Sequence, residues 1–444
     1  MKRRALSPIA GILISLAATG SLLSETTTDS PRIATLQRDV AAGHAAAQDE
    51  FWRVVESEGS PLVENLPGNH DEVLATFVWK DTGDTKSVIL NARMNGVDPL
   101  TDPRSRMKRV PGTTVWYVSH QFPADAEFLY QLVVNPFDAS GTSPVATMQR
   151  ALRPDPLNLN PYPERSDPLF DASQPWRNGS IARMPAVPDN PWLARRNNVP
   201  AGTVRNATVK SAFLTMVNPR SVWVYVSPGA PLRNPNVLVL LDGGTTYQSR
   251  IPTATILDNL FASNKIGQTV AVFVDNGGEA RAFDMTFNDA FVKFLTDELL
   301  PWVQQKYQFK ADRSRTVVGG DSLGGLASAY AALRRPDIIG KVLSQSGSFQ
   351  FNNRGDVSPN APEWLVGQFS TMAKSNVFFH LDVGLMEDRT EGNTGTTLLG
   401  ANRDLADVLR AKGYGVHYVE VYADHDPVHW RRTLPDALMA TLVH

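Results

Sequence analysis

The chain contains no cysteine among its 444 residues. This absence excludes disulfide bonds, thiolate nucleophiles and metal sites built on cysteine. The eight histidines are scattered along the chain, without the close spacing that metal ligands usually show. We therefore expect no protein-bound metal and no cofactor.

A strong excess of charge of either sign is also missing. The 43 lysines and arginines nearly balance the 45 aspartates and glutamates, so the net charge is −2. No long basic run occurs apart from the extreme N-terminus. This composition disfavours nucleic acid as a partner.

Long hydrophobic runs are scarce as well. The chain begins with "MKRR" and an apolar stretch centred on Ile9 to Ala18, followed by small residues. The stretch is shorter than the run of about 20 apolar residues that spans a membrane, and it is typical of a secretory signal. Residues 1–24 are therefore predicted to be a signal peptide, with no stable membrane insertion after its cleavage. We expect a periplasmic or secreted protein, or a cytoplasmic one if the segment is not a signal.

The length of the chain favours two domains, because one core rarely organises so many residues. Residues 25–50 are predicted to be a polar and helical segment, with one helix from about Ile33 to Ser57. Residues 51–152 contain segments such as "EVLATFVWK" and "TVWYVSHQF", which predict an all-β, immunoglobulin-like sandwich. Residues 153–198 are rich in proline and are predicted to be a linker.

Residues 199–444 alternate apolar strands such as "VLVLLDGG" with helical segments. This alternation predicts an α/β domain with a mostly parallel sheet covered by helices on both faces. One strand leads into "GGDSLGG", where Gly320 and Gly324 flank Ser322. A G-x-S-x-G turn between a strand and a helix indicates the α/β-hydrolase fold with Ser322 as nucleophile. The sequence is less consistent with a nucleotide-binding turn, because the Lys-Ser/Thr pair of a P-loop is absent.

A serine nucleophile needs a histidine base and an acid, which follow it in α/β-hydrolases in the order serine, acid, histidine. The loop "LMED" offers Glu387 and Asp388, and their positions alone leave both open. The loop "DHDPVHW" offers His425 and His429. We favour His425, because His429 precedes Trp430 at a helix start, where it is expected to pack or face solvent.

Backbone N–H groups are expected to bind the developing oxyanion. Leu323 follows the nucleophile and supplies one of them. Gly243 and Gly244 in "LLDGGTTYQ" lie in an earlier loop that would supply the other. Tyr247 in the same loop either lines the substrate pocket or packs in the core.

In both domains the chain resembles the enterochelin (enterobactin) esterases. The shared segments include "LDNLFASNKI", "GGDSLGGLASAYAALRRPDIIGKVLSQSGSF", "VGLMEDR" and "HDPVHWRRTLPDAL", with "FWRVVESEGSPLVE" in the first domain. The resemblance extends from about Phe51 to the C-terminus. It implies hydrolysis of the ester bonds of a small-molecule catecholate siderophore, free or iron-loaded, in iron acquisition. It also implies that Ser322 is the nucleophile, His425 the base and Glu387 the acid.

The resemblance also identifies residues that would contact substrate. Arg281 in "EARAFDM" matches a family arginine near the substrate-binding face, although it could equally be a surface arginine. Asp321 stands where glutamine or a similar residue is usual in the family, so we expect it to affect substrate preference. An N-terminal signal is a further departure, because two-domain members are typically cytoplasmic.

Two alternatives remain open at this stage. One is a feruloyl or acetyl esterase that acts on plant polysaccharide, with the sandwich as a carbohydrate-associated module. The other is an exported binding protein without turnover. The complete set of Ser322, Glu387 and His425 argues against the second, since a binding protein has no need of all three.

Overall fold

The computed structural model describes residues 30–92, 99, 101–136, 151–163, 178–229, 231–354, 362–389 and 396–442. The predicted signal peptide lies outside this set. Within the described ranges, no helix is long and apolar enough to cross a membrane.

The described residues of the first part of the chain include two α-helices and two β-sheets. The helices are α1 (Pro31–Ala41) and α2 (Ala47–Glu58). The strands are β1 (Leu62–Leu66), β2 (Asn69–Lys80), β3 (Val88–Asn91), β4 (Lys108–Arg109), β5 (Val115–Pro123), β6 (Glu127–Val134), β7 (Leu152–Arg153), β8 (Pro161–Tyr162) and β9 (Gly179–Arg183). One sheet has the order β1-β2-β5-β4, and the other has the order β3-β6-β9-β8 with β7 paired to β6.

The two sheets enclose a hydrophobic core, as expected for a sandwich. Strand β2 shows why: Ala75 and Phe77 belong to the core between the sheets, whereas Val78 belongs to a second cluster beneath the helices. Successive side chains of a strand point to opposite faces, so an apolar strand of this kind is buried on both sides. The helices cover the outer face of the first sheet.

The structure contains two helices where the sequence predicted one from Ile33 to Ser57. The first ends at Ala41, and Gly43 follows with φ 77°. This left-handed conformation favours glycine and interrupts the helix. The interruption lets α1 and α2 pack against each other and place Ile33, Phe51 and Val55 in one buried cluster.

The segment predicted to be a linker contributes strands. Strands β8 and β9 both lie between residues 153 and 198, and β9 pairs with β6 in antiparallel register. The prolines of this tract hid the short strands, because proline is uncommon within sheets. The described part of the tract therefore includes elements of the sandwich.

The second part of the chain forms an eight-stranded sheet. Its strands are β10 (Thr203–Val209), β11 (Arg220–Val226), β12 (Asn236–Leu240), β13 (Thr269–Val274), β14 (Thr316–Asp321), β15 (Lys341–Gln345), β16 (Phe378–Gly384) and β17 (Gly415–Val421). The order is β10-β11-β13-β12-β14-β15-β16-β17. The six strands from β13 to β17 in this order run parallel, and β10 and β11 form an antiparallel edge.

Helices cover the large sheet on both faces, where two separate apolar clusters lie. The α-helices span Thr253–Ala262, Arg281–Met285, Asp289–Lys293, Leu300–Tyr307, Leu323–Arg334, Trp364–Thr371, Leu398–Ala411 and Pro427–Thr441. Two stretches, Gly243–Tyr247 and Phe294–Leu299, are π-helical, and short 3₁₀ turns span Pro103–Ser105, Gly278–Ala280 and Arg313–Arg315. This is the predicted α/β-hydrolase architecture with a sandwich before it. The loops after β12, β14, β15, β16 and β17 all leave the same edge of the sheet, where such folds bind ligands.

Candidate active site

Ser322 lies at a sharp turn between β14 and the Leu323–Arg334 helix. Its backbone has φ 56° and ψ −118°, a conformation that is strained for a residue with a side chain. A Cβ atom on Gly320 would lie 2.8 Å from the carbonyl carbon of Gly324, so a larger residue would force the strand and the helix apart. The two glycines therefore permit the turn that presents Ser322 at the carboxyl edge of the sheet.

Glu387 and His425 are brought into contact by the loops after β16 and β17. Nδ1 of His425 donates a hydrogen bond to Oε2 of Glu387 over 2.6 Å. Glu387 is buried, whereas the neighbouring Asp388 is exposed. Of the two carboxylates in the loop, Glu387 is therefore the one that is placed to orient the histidine.

The other oxygen of Glu387 is held by the protein. Oε1 accepts hydrogen bonds of 2.7 Å from the hydroxyl of Ser346 and of 2.7 Å from the backbone N–H of Gly384. Burial alone would raise the pKa of Glu387, but the contacts with His425 and His429 outweigh it and hold the pKa well below its usual value. The carboxylate is therefore charged and fixed in orientation.

Ser348 lies beside Ser322. The two hydroxyl oxygens are 3.3 Å apart, and the backbone N–H of Ser348 donates to the carbonyl oxygen of Ser322. Ser346 and Ser348 both follow β15, the strand next to the nucleophile strand. The sequence predicted neither contact, although the motif "SQSGSF" places two hydroxyl groups directly after a buried strand.

The expected oxyanion donors lie at the starts of helical turns. Leu323 is the first residue of the helix after Ser322, and Gly243 is the first residue of the π-helical turn after β12. The first N–H groups of a helix have no acceptor within it, so they are available to a ligand. A Cβ on Gly243 would collide with the backbone of Phe273, and one on Gly244 with the ring of Trp223. These glycines thus allow the turn to pack closely on its neighbours.

Asp242, Arg281 and Asp321 form a charged cluster next to this turn. Nε and Nη2 of Arg281 donate to the two carboxylate oxygens of Asp242 over 2.7 and 2.8 Å. Asp321 is buried, and its Oδ1 has no hydrogen-bond partner among the described residues. Burial, and then the charge of Asp242, raise the pKa of Asp321 well above its usual value.

Tyr247 and Asp321, which were considered as substrate-contacting residues, are both buried. Tyr247 has no exposed surface, and its hydroxyl donates to the Gln345 side chain over 2.9 Å. It therefore packs in the core, which was the alternative that the sequence left open. Asp321 is only 3% exposed and lies beneath the surface, where the charges of Asp242 and Arg281 act on it.

The loop that carries His425 also contacts the sandwich domain. The backbone N–H of Glu127 donates to the carbonyl oxygen of Tyr422, and that of Leu129 donates to the Asp426 carboxylate, each over 3.0 Å. Asp426 also accepts from the N–H groups of Val428 and His429 and caps the helix that follows. Strand β6 therefore helps to fix the loop.

His429, which was expected to pack or face solvent, is completely buried among charged groups. Its Nε2 lies 3.2 Å from Oδ1 of Asp382. The strand "FFHLDVG" held a signal for this cluster, because a histidine and an aspartate inside an apolar strand need partners when buried. In the part of the chain that the structure describes, no three acidic or histidine side chains are arranged to hold a metal ion.

Comparison with known proteins agrees with this architecture. The family model described as "Putative esterase" matches residues 215–441, and the one described as "Enterochelin esterase, N-terminal" matches residues 74–193. An iron(III) enterobactin esterase from Dickeya dadantii is 30% identical over 418 residues, which cover 88% of this chain and 92% of that protein.

Two further relatives cover nearly the whole length. An iron(III) salmochelin esterase from Escherichia coli O6:H1 is 26% identical over 91% of this chain and 96% of its own. The enterobactin esterase of Shigella flexneri, solved in the presence of enterobactin, superposes with a TM-score of 0.68 at 25% identity, covering 88% of this chain and 97% of that one. The chain therefore belongs to the enterochelin esterase family and is a carboxylic ester hydrolase.

Proposed function

We propose that this protein hydrolyses the ester bonds of a catecholate siderophore such as enterobactin, free or iron-loaded, and so serves iron acquisition. The relatives that cover most of the chain are named as iron(III) enterobactin and salmochelin esterases. The observation that carries the proposal is the 2.6 Å contact between His425 and Glu387, on the sheet edge where Ser322 occupies a G-x-S-x-G turn. This combination is the arrangement of a serine hydrolase.

In the first half of the reaction, the Ser322 hydroxyl oxygen attacks the ester carbonyl carbon and its proton passes to Nε2 of His425. Glu387 stabilises the imidazolium that forms, because its Oε2 accepts from Nδ1. The N–H of Leu323, with that of Gly243 or Gly244, stabilises the oxyanion. The bond to the leaving alcohol then breaks, and His425 returns the proton to that alcohol.

In the second half, water attacks the acyl-enzyme. His425 removes a proton from the water as the new bond to the carbonyl carbon forms. The bond between that carbon and Ser322 breaks, and His425 returns the proton to the serine. Each turnover consumes one water and opens one ester bond.

Arg281 is proposed to contact an anionic substrate through the part of its guanidinium that Asp242 does not engage. Its side chain is 29% exposed, so part of it can meet a ligand while Nε and Nη2 remain on Asp242. A cation at this place suits a ferric catecholate, which is negatively charged.

We also propose that the protein is exported to the periplasm or secreted after removal of residues 1–24. The support is the sequence pattern alone: a basic start, a short apolar stretch and small residues. Expression of the full chain in a Gram-negative host tests it. The mass of the protein released from the periplasm should correspond to a chain without the segment, and a full-length cytoplasmic product contradicts export.

The substrate proposal is tested by mass spectrometry of the products from ferric enterobactin, iron-free enterobactin and methyl ferulate. We expect products from enterobactin that gain one water for each ester opened, formed faster than products from the ferulate. The iron-free arm shows whether the metal is needed. Turnover of methyl ferulate alone contradicts the siderophore assignment and favours the feruloyl esterase alternative.

A further inference from the structure

His429 lies in the interior between two carboxylates. It belongs to the Pro427–Thr441 helix and has no exposed surface. Its Nδ1 is 3.6 Å from Oε1 of Glu387, and its Nε2 is 3.2 Å from Oδ1 of Asp382. The first of these carboxylates is the proposed acid that orients His425, so His429 connects that acid to a second buried charge.

The surroundings of His429 define its protonation. Nδ1 also lies 3.1 Å from the backbone carbonyl oxygen of Asp424, which can only accept a hydrogen bond. Nε2 lies 3.2 Å from Oδ1 of the Asp382 carboxylate, which is within ion-pair distance although the contact lacks hydrogen-bond geometry. A buried imidazole that meets a carbonyl oxygen at one nitrogen and lies within ion-pair distance of two carboxylates is stabilised as the doubly protonated cation.

Electrostatics agree with this geometry. Burial lowers the pKa of His429, but Asp382 and Glu387 outweigh burial and raise it to about 10. Burial would likewise raise the pKa of Asp382, but its contacts with His380 and His429 lower it. The cluster thus holds two carboxylates with one cation between them, and without the cation two buried negative charges would stand near each other.

The remaining titratable groups around His429 lie at the start of its own helix, on strands β16 and β17, and in the loop after β17. Asp426, the N-cap of the same helix, accepts the backbone N–H of His429. His380 on β16 has Nε2 3.2 Å from Oδ2 of Asp382 and Nδ1 2.9 Å from Nδ1 of His417 on β17. His425 contacts Glu387 from the substrate side. None of these four is a carboxylate at the imidazole ring of His429, which Glu387 and Asp382 face.

We propose that His429 is a positioning residue for His425: a buried imidazolium that forms an ion pair with Glu387 and offsets part of the negative charge acting on the base. The inference rests on the proposed roles of Glu387 and His425. Its consequence is specific. Removal of the positive charge leaves His425 in a more negative environment, which favours its protonated, inactive form up to higher pH.

The first test is the pH dependence of kcat/KM with a p-nitrophenyl ester. In His429→Gln, the acid limb should move to higher pH by about 1 unit. In the double variant His429→Gln/Asp382→Asn, which removes a positive and a negative charge together, the limb should return at least part of the way to the wild-type position. A residue with only a packing role would lower kcat/KM at every pH without moving the limb, and that result overturns the proposal.

The second test does not depend on turnover. In ¹⁵N NMR spectra of the histidine side chains, both ring nitrogens of His429 should be protonated at pH 8, in the wild type and in Ser322→Ala. The assignment comes from the signals that disappear in His429→Gln, or from through-bond correlation if that variant does not fold. A neutral His429 overturns the inference, whatever the esterase activity. Loss of the esterase proposal would instead appear as unchanged activity in Ser322→Ala, with the two NMR signals still present.

Discussion

At the scale of single residues, the proposed mechanism depends on which side chains face each other across neighbouring loops. Glu387 and Asp388 are adjacent in sequence, and position alone could not choose between them. The structure buries Glu387 against His425 and leaves Asp388 exposed. A carboxylate can orient the histidine only if its oxygen contacts Nδ1. Burial and this contact therefore identify Glu387 as the acid, which position in the sequence alone could not do.

Glu387→Gln should lower kcat by about 10²- to 10⁴-fold, because an amide at this position no longer stabilises the imidazolium. The matched control is Asp388→Asn, one residue further along the loop, which should retain kcat within about twofold since surface changes are usually mild. Steady-state kinetics with a p-nitrophenyl ester measure both. Equal losses in the two variants, or a loss only in Asp388→Asn, contradict the assignment of Glu387.

Asp321→Asn should become more stable relative to the wild type as the pH rises. Burial and Asp242 raise the pKa of Asp321 above its unfolded value of 3.8. The folded state therefore keeps a proton that the unfolded state loses, and stability falls as the pH rises above 3.8. The asparagine variant lacks this loss. We expect its Tm, relative to wild type, to increase by a few degrees between pH 5 and pH 8.

The control for this comparison is Asp407→Asn, at an exposed helical position paired with Arg410. Its Tm relative to wild type should change little over the same pH range, because exposed ion pairs contribute little. If both variants show the same dependence on pH, the buried cluster is not the source of the effect.

At the scale of elements, the loop after β17 is part of the α/β domain and is hydrogen-bonded to the sandwich. Its carbonyl at Tyr422 and its carboxylate at Asp426 accept hydrogen bonds from strand β6 of the sandwich. A loop with few contacts would let the histidine move, and small displacements of a catalytic group are costly for rate. The sandwich therefore supplies two hydrogen bonds to the loop that carries His425, a contact that the sequence could not show.

Asp426→Asn should lower both stability and kcat. An asparagine whose nitrogen faces Leu129 places two donors together, and an unsatisfied buried donor costs about 1 to 3 kcal/mol. The control is Asn288→Ala, which removes the N-cap of another helix and should cost about 1 kcal/mol without change in kcat. Urea denaturation and steady-state kinetics separate the two. A variant of Asp426 that loses stability but keeps kcat shows that the domain contact does not position the base.

At the scale of the whole molecule, protonation of one buried group affects stability over a wide pH range. His429 has its pKa raised from 6.5 to about 10, because Asp382 and Glu387 outweigh the effect of burial. Between these values the folded state holds a proton that the unfolded state has lost. The stability from this group is complete below pH 6.5 and is lost as the pH rises to about 10.

The wild type should therefore lose stability from pH 6.5 to 10 more steeply than His429→Gln, by at most about 1.4 kcal/mol per pH unit. Ser322→Ala serves as the control and should follow the wild-type slope. Urea denaturation at pH 6.5, 8 and 9.5 measures the slopes. Parallel slopes for wild type and His429→Gln would show that His429 does not hold the extra proton.

Much of this architecture could be predicted from the sequence, because strand and helix patterns depend on neighbouring residues. The apolar run of β2 and the G-x-S-x-G turn are local signals of this kind. Errors arose where local signals mislead: Gly43 divides the first helix, and prolines conceal β8 and β9. The contacts of His429 with Asp382 were not predictable, because they join separate elements and depend on sheet register, which pairs His380 with His417.

The proposed function depends on Ser322 as the nucleophile that opens siderophore esters. The most direct measurement compares wild type and Ser322→Ala on ferric enterobactin, with product formation followed by mass spectrometry and folding checked by circular dichroism. We expect the folded variant to lose at least about 10³-fold in rate. A folded Ser322→Ala protein that hydrolyses the substrate within tenfold of the wild-type rate would contradict this role of Ser322.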